Sequence, residues 1–184
     1  MLLWIWLLII LAAIVVITFI SYYNRFAVLG NRIDNSLAQI DVQLRKRADL
    51  VPNLISSVKG YMKHEKSILV EVTKARTSFL NAKSPEAKFK AGNQMQQALK
   101  SIFAVAENYP QIKASENFLQ LQNELSAIED KVAYSRQYYN DSILSYDNKR
   151  KTFPGNLFFN LFGFKAKPYL EIPAEARAVP KVEF

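Results

Sequence analysis

The sequence predicts an all-α fold: an N-terminal transmembrane helix continuing into an antiparallel up-and-down helical bundle of three long helices, or four if the first breaks at Pro52. Three observations carry this. Met1 to Ile20 hold no charge and one polar side chain, Thr18. From Tyr23 to Ala82 apolar residues recur at heptad spacing, with Pro52 the sole proline and Gly30 and Gly60 the sole glycines. Two later stretches with the same spacing are separated by turn signals at Ser84-Pro85 and Asn108-Tyr109-Pro110.

A helix crosses the roughly 30 Å hydrocarbon core with about 20 apolar residues. Leu2 to Ile20 supplies 19 residues, all apolar but Thr18, with Tyr22 and Tyr23 placed for the far interface. A cleaved signal peptide would begin with basic residues and end at a small-residue cleavage site. Here no Lys or Arg precedes the stretch, and it leaves through Phe19, Ile20, Tyr22 and Tyr23. Residues 1–23 are therefore expected to be an uncleaved anchor, residues 24–152 a helical bundle domain, and residues 153–184 an aromatic, proline-containing tail. Arg25 and Arg32 lie just beyond the span, with Arg45, Lys46 and Arg47 further on. The positive-inside rule then gives a single-pass protein with its N-terminus outside and its helical domain cytoplasmic.

A net charge of +8 raises nucleic acid or anionic lipid as partners, but the charges are scattered. The tight runs Arg45-Lys46-Arg47 and Lys149-Arg150-Lys151 sit in no nucleic-acid module and read as solvated helix faces, so nucleic acid is not expected. The absence of cysteine permits a reducing compartment without requiring one.

In the first helical stretch, Ile33, Ile40, Leu54, Tyr61, Ile68 and Ala75 share one heptad column, and Leu37, Leu44, Val51, Val58, Val72 and Phe79 the other. The register survives Pro52, which predicts a kink within one helix reaching Ala82, with a break into two as the alternative. Ser84 can cap a second helix with Pro85 at its first position, and that helix ends near Pro110. Its apolar stripe, Ala91, Met95, Ala98, Leu99, Ile102, Val105 and Ala106, is made largely of small residues. A third helix runs from about Ser115 to Lys151 along Phe118, Leu121, Leu125, Ile128, Val132, Tyr139 and Tyr146. Each helix alone would leave an apolar face in water, so the stripes must pack together.

Two charges break the first seam, Arg47 in one column and Glu65 in the other. They are too far apart along one helix to meet. Glu107, Glu124 and Glu129 are candidates for Arg47, and cations of the third helix for Glu65; alternatively both side chains snorkel to water. The tail FPGNLFFNLFGF, residues 153 to 164, holds five of the twelve phenylalanines. Such a density must dock, either on the bundle or in the bilayer interface beside Lys149, Arg150 and Lys151. Phe158, Phe159, Phe162 and Phe164 are the candidate membrane-interface residues.

The chain offers little catalytic chemistry. It has one histidine and no Gly-rich phosphate loop, and His64-Glu65 lacks the second histidine a helical zinc site needs, because position 68 is Ile68. No cofactor, no metal and no catalytic residue is expected, and the protein reads as a non-enzyme. Asn140-Asp141-Ser142 matches a glycosylation sequon that a cytoplasmic helix would carry by chance.

Four stretches in this order resemble the LemA family: DVQLRKRADLVPNLISSVKGYMKHE from Asp41 to Glu65, AENY from Ala106, NFLQLQNEL from Asn117, and RQYYN from Arg136. The resemblance covers nearly all of the chain after the anchor. It implies a bacterial single-pass membrane protein with a helical up-and-down bundle and no established activity or cofactor. Positions matching the family pattern include Arg47, Asp49, Pro52, Asn53, Gly60, Tyr61, His64, Glu65, Glu107, Tyr109, Pro110, Arg136, Tyr139 and Asn140. Of these, Arg47, Asp49, Asn53, His64, Glu65, Glu107, Tyr109, Arg136 and Asn140 form a candidate polar network or partner surface. The expected role is an interaction or scaffold module at the bacterial cytoplasmic membrane, with the lipid bilayer and an unidentified protein or a second copy as partners. Lipid binding or membrane remodelling through the aromatic tail is the alternative, and a hydrolase using His64 and Glu65 a more remote one.

Overall fold

The computed structural model describes residues 1–62 and 64–170. It contains six helices and, among the described residues, no strand: α1 (Leu2–Val58), α2 (Lys66–Asn81), α3 (Pro85–Ala106), α4 (Pro110–Lys113), α5 (Glu116–Lys151) and α6 (Gly155–Leu161). The all-α class and the long apolar N-terminal helix are as the sequence predicts. Two compact units divide the described residues, 39–134 and 1–38 with 135–170.

The unit of residues 39–134 is an up-down-up-down four-helix bundle made of the end of α1, then α2, α3 and the start of α5. Its direction is fixed by cross-helix contacts. Arg76 of α2 reaches Ala48 of α1, Lys88 of α3 bonds Asp41 of α1 at 2.8 Å, and Phe103 of α3 meets Phe118 of α5 at 5.9 Å between ring centroids. Ile40, Leu44, Leu54, Val58, Val72, Met95 and Ile102 are buried between the helices. Each fully buried aliphatic side chain contributes about 1.5–3 kcal/mol, far more than local helix propensity, so packing holds these helices in place. The small stripe of α3 has a purpose. A Cβ on Gly92 would stand 3.1 Å from the Leu44 side chain, so α3 approaches α1 where glycine leaves room.

Helix ends follow local chemistry. Ser84 Oγ accepts from the Ala87 amide at 3.2 Å, Pro85 occupies the first turn, and Glu86 faces the positive end of the α3 dipole. Lys149, Arg150 and Lys151 occupy the last turn of α5, where the dipole favours cations.

α1 remains helical through Pro52 but stops at Val58. The expected single helix to Ala82 is therefore corrected. Among the described residues there are four long helices, as in the alternative with a broken first helix, yet α1 ends at Val58 and α2 starts at Lys66, so the break falls after Val58 and not at Pro52. The Val58 carbonyl accepts from the amides of both Tyr61 and Met62 at 3.0 Å, and Met62 is fully buried beneath the turn. The heptad phase survives because the turn spans one repeat, so Val72, Ala75 and Phe79 still reach the core.

Pro52 is accommodated by a compensating bond. Proline has no amide hydrogen for the carbonyl four residues back. That carbonyl belongs to Ala48, and it accepts instead from Arg76 Nε of α2 at 2.8 Å. The proline thus frees the acceptor that ties α2 to α1.

The unit of residues 1–38 with 135–170 is an antiparallel helix pair with α6 and the tail laid on it. Phe26 packs edge-on to Tyr146 at 5.7 Å, and Ile33, Tyr139 and Ile143 are buried. Buried Ser36 and Ser142 donate to the carbonyls of Arg32 and Tyr138, so neither of these hydroxyls is stranded. α6 begins at Gly155, whose missing Cβ would lie 2.0 Å from the Lys149 carbonyl oxygen, and ends in a Schellman turn. There Gly163 has φ +68°, Gly163 N donates to Asn160 O, and Phe164 N donates to Phe159 O.

The carbonyl tie yields a coupled prediction. Arg76→Met should cost about 1.5–3 kcal/mol in the native background, and clearly less beside Pro52→Ala, where residue 52 supplies its own amide to Ala48. Denaturation of the full chain in detergent measures both costs. Equal costs in the two backgrounds would show that Arg76 acts independently of the proline.

Candidate functional site

The candidate polar residues do not converge on one pocket. Arg47 is 2% exposed and lines a cavity of about 170 Å³ in the four-helix bundle with Gln96, Leu99, Phe103, Leu125 and Glu129. Gln96 Nε2 donates to Glu129 Oε1 at this cavity, bridging α3 and α5. Of the three carboxylates considered for Arg47, Glu129 shares its cavity. Glu107 is exposed at the end of α3, and Glu124 accepts from Gln120 along α5. Burial excludes the snorkelling alternative for Arg47.

Glu65 is held by a phenol from a distant turn. Its Oε1 accepts from Tyr109 Oη at 2.5 Å, joining the turn at 59–65 to the turn before α4. Tyr109 is also the N-cap residue of α4, with Pro110 in the first turn and Ile112 buried beneath. The bond to Glu65, then partial burial and the carboxylate charge, raise the Tyr109 phenol above its ordinary value of 10.0. It therefore stays a donor. His64, next to Glu65, is exposed, and Asp49 and Asn53 are exposed on α1. Neither His64 nor Glu65 lines the Arg47 cavity. Among the described residues no three His, Asp or Glu groups gather as metal ligands would.

Arg136 and Asn140 lie half-buried in the other unit. Asn140 pairs with the main chain of Leu170 as a second strand would, donating Nδ2 to its carbonyl at 3.3 Å and accepting its amide at 3.0 Å. Tyr139 Oη donates to Pro168 O and Tyr146 Oη to Lys165 O, each at 3.0 Å, while Lys167 pairs with Asp34 at 2.8 Å. Burial raises the Tyr146 phenol above 10.0 against the pull of Arg150, so it too remains a donor. With Asn140 engaged and Ser142 buried, the sequon is part of the tail clamp.

The aromatic tail docks on protein. Phe158 stacks on Tyr22 at 4.9 Å, Phe162 meets Phe19 at 4.7 Å and Tyr23 at 5.3 Å, and Phe159 is buried against Phe26 and Tyr146. Phe164 completes the cluster beside Phe26 at 5.4 Å. Of the four candidate interface residues, Phe159 is thus a core residue. The most exposed apolar groups here are Phe153, Leu157 and Leu161, at 80%, 60% and 68%. Their spacing of four was visible in the sequence, but the phenylalanine count drew the selection elsewhere.

Two measurements check the buried groups. Arg47→Ala should destabilise the full chain by about 3–5 kcal/mol, and Arg47→Met, which keeps the apolar stem, by clearly less. A melt of Arg47→Ala matching the native one would remove Arg47 from the core. The folded state holds the Tyr109 proton more tightly than the unfolded chain, whose ordinary value is 10.0. The resulting stability is complete below that value and is lost as pH rises through the higher folded value. Tyr109→Phe should flatten the alkaline fall in stability, read from denaturant melts between roughly pH 8 and 11. Identical alkaline slopes would refute the Glu65–Tyr109 bond.

Comparison with known proteins bears on what this architecture is. Two relatives from Paramagnetospirillum magneticum, magnetosome protein MamQ 2 and magnetosome protein MamQ 1, are each 22% identical over 180 residues, covering 84% of this chain and 66% of theirs. Protein LemA of Metamycoplasma hominis is 28% identical over 127 residues, covering 67% of this chain and 57% of its own. The chain therefore spans under two thirds of the length of these relatives. The LemA family model matches residues 36–184, from within the helix pair through the bundle and the tail, and the chain belongs to the LemA family.

Proposed function

We propose that the protein is a membrane-anchored, non-enzymatic interaction or scaffold module at the bacterial cytoplasmic membrane. One observation carries this reading: α1 is a single helix from Leu2 to Val58, exposed along its apolar stretch and carrying a stripe of buried residues from Phe26 onward. The same element thus supplies an 18-residue window of mean hydropathy 3.0, suited to lipid, and one wall of the bundle. The anchor is part of the fold rather than a leader attached to it. The relatives' designation as magnetosome proteins supports service within an assembly. The hydrolase alternative loses support because exposed His64 and the Tyr109-bound Glu65 lie outside the cavity that gathers Arg47, Gln96 and Glu129. The charges after the span, Arg25 and Arg32, support a single pass with the N-terminus outside.

The chain lacks cysteine, so a single added thiol reports on its surroundings without background. Val42→Cys, at a half-exposed bundle position, should resist a membrane-impermeant maleimide in intact cells and react after permeabilisation. A cell-permeant bismaleimide should then trap it in discrete adducts, and His64→Ala should leave those adducts and the protein's cellular role unchanged. Labelling in intact cells would reverse the topology. Loss of the cellular role in His64→Ala, with no adduct formed, would return the argument to catalysis.

A further inference from the structure

The outer face of α6 is the one apolar surface of the helix-pair unit whose position names its occupant. Leu157 and Leu161 stand four residues apart in α6, so they share one side, and together with Phe153 in the turn just before the helix they are largely exposed. The opposite side carries Phe158, Phe159 and Phe162 into the aromatic cluster on α1 and α5. Three large exposed apolar side chains on so short a helix and the turn leading into it are not left to water without reason.

Its location supplies the reason. α6 is held against Phe19, Tyr22 and Tyr23, the last residues of the apolar stretch and the first after it. Gly155 fixes that position, since any Cβ there would strike the Lys149 carbonyl. Around it lie the cations that close α5. Lys149 Nζ sits 4.4 Å from the Tyr22 ring centroid, Arg150 lies over Phe159, and Lys151 is 67% exposed. Apolar residues on one side, aromatics at the end of a bilayer span and a basic rim together match the chemistry of the lipid headgroup region.

We propose that α6 is a membrane-interfacial helix whose Leu157 and Leu161 face, joined by Phe153 of the preceding turn, enters the headgroup–acyl boundary of the bilayer that residues 2–20 cross. The protein then touches its membrane twice, by a span and by a lateral helix clamped to the end of that span. Two contacts on different sides of the helix pair fix its rotation about the span, which a single helix leaves free. Residues different from the four phenylalanines selected from sequence make the second contact. The proposal rests on residues 2–20 being a span, a reading the experiment tests separately.

The full chain is reconstituted in vesicles of phosphatidylethanolamine and phosphatidylglycerol with one nitroxide on an added cysteine. Relaxation by oxygen, which partitions into lipid, is compared with relaxation by a water-soluble nickel chelate. Leu157→Cys and Leu161→Cys should show an oxygen-to-nickel ratio on the order of threefold or more above Val42→Cys, approaching but below Ile9→Cys inside the span. Helical circular dichroism matching the native protein excludes misfolding of the labelled chains. A nickel-accessible signal at Leu157→Cys and Leu161→Cys, with Ile9→Cys in lipid, would place the face in water and overturn the proposal alone. Exclusion of both relaxants would show that protein covers the face, and also overturn it. Nickel access at Ile9→Cys would overturn the span and this inference together.

Discussion

The carbonyl of Ala48 must find a donor, and much of the structure follows from how it does. Pro52 removes the amide that would have bonded it, which in a lone helix costs about 3 kcal/mol or more and often ends the helix. Here Arg76 of α2 supplies the hydrogen at 2.8 Å. α1 therefore passes the proline intact and continues to Val58, keeping the apolar stretch and the first wall of the bundle in one element. A charged donor on a main-chain acceptor is also directional, so it fixes the register of α2 on α1 where aliphatic contacts alone would tolerate sliding. The defect and the tie are one feature.

A similar economy governs the tail. An extended segment has no internal hydrogen bonds, so its main chain needs partners from outside. Tyr146, Tyr139 and Asn140, on one side of α5, meet Lys165, Pro168 and Leu170 in turn. The two phenols are buried at the ring and donate at the tip, which lets apolar seam positions serve as polar anchors. This explains why a helix with ordinary apolar spacing carries so many tyrosines and an asparagine near its end.

What could be read from the sequence was what depends on neighbours along the chain. The apolar stretch, the Ser84-Pro85 start, the limits of α5 and the survival of α1 through Pro52 all rest on spacing within a few turns. The reversal at residues 59–65 was hidden because its length preserves the heptad phase, so the columns of α2 continue those of α1 as if no turn intervened. Glu65 was read as a helix seam position and is a turn residue bonded to Tyr109, 44 residues away. Local spacing holds no record of such a meeting. The burial of Arg47 was equally undetermined, since a charge in a seam can snorkel or be enclosed, and only the approach of α3 and α5 closes the cavity around it.

The family match starts at residue 36, beyond the residues that receive α6. The tail and α6 lie inside the matched region, yet their docking partners Phe19, Tyr22, Tyr23 and Phe26 lie outside it. The aromatic cluster is therefore built from both parts. One side is the sequence pattern shared with the family, and the other is the end of a stretch whose composition is set mainly by the need to be apolar. Tyr22 and Tyr23 can satisfy both demands, because an amphipathic ring suits an interface with lipid as well as a stack with phenylalanine. A tail that closes on the apolar stretch in this way makes the end of that stretch a packing surface, so substitutions there that preserve hydropathy but remove the rings would keep the stretch apolar and loosen α6.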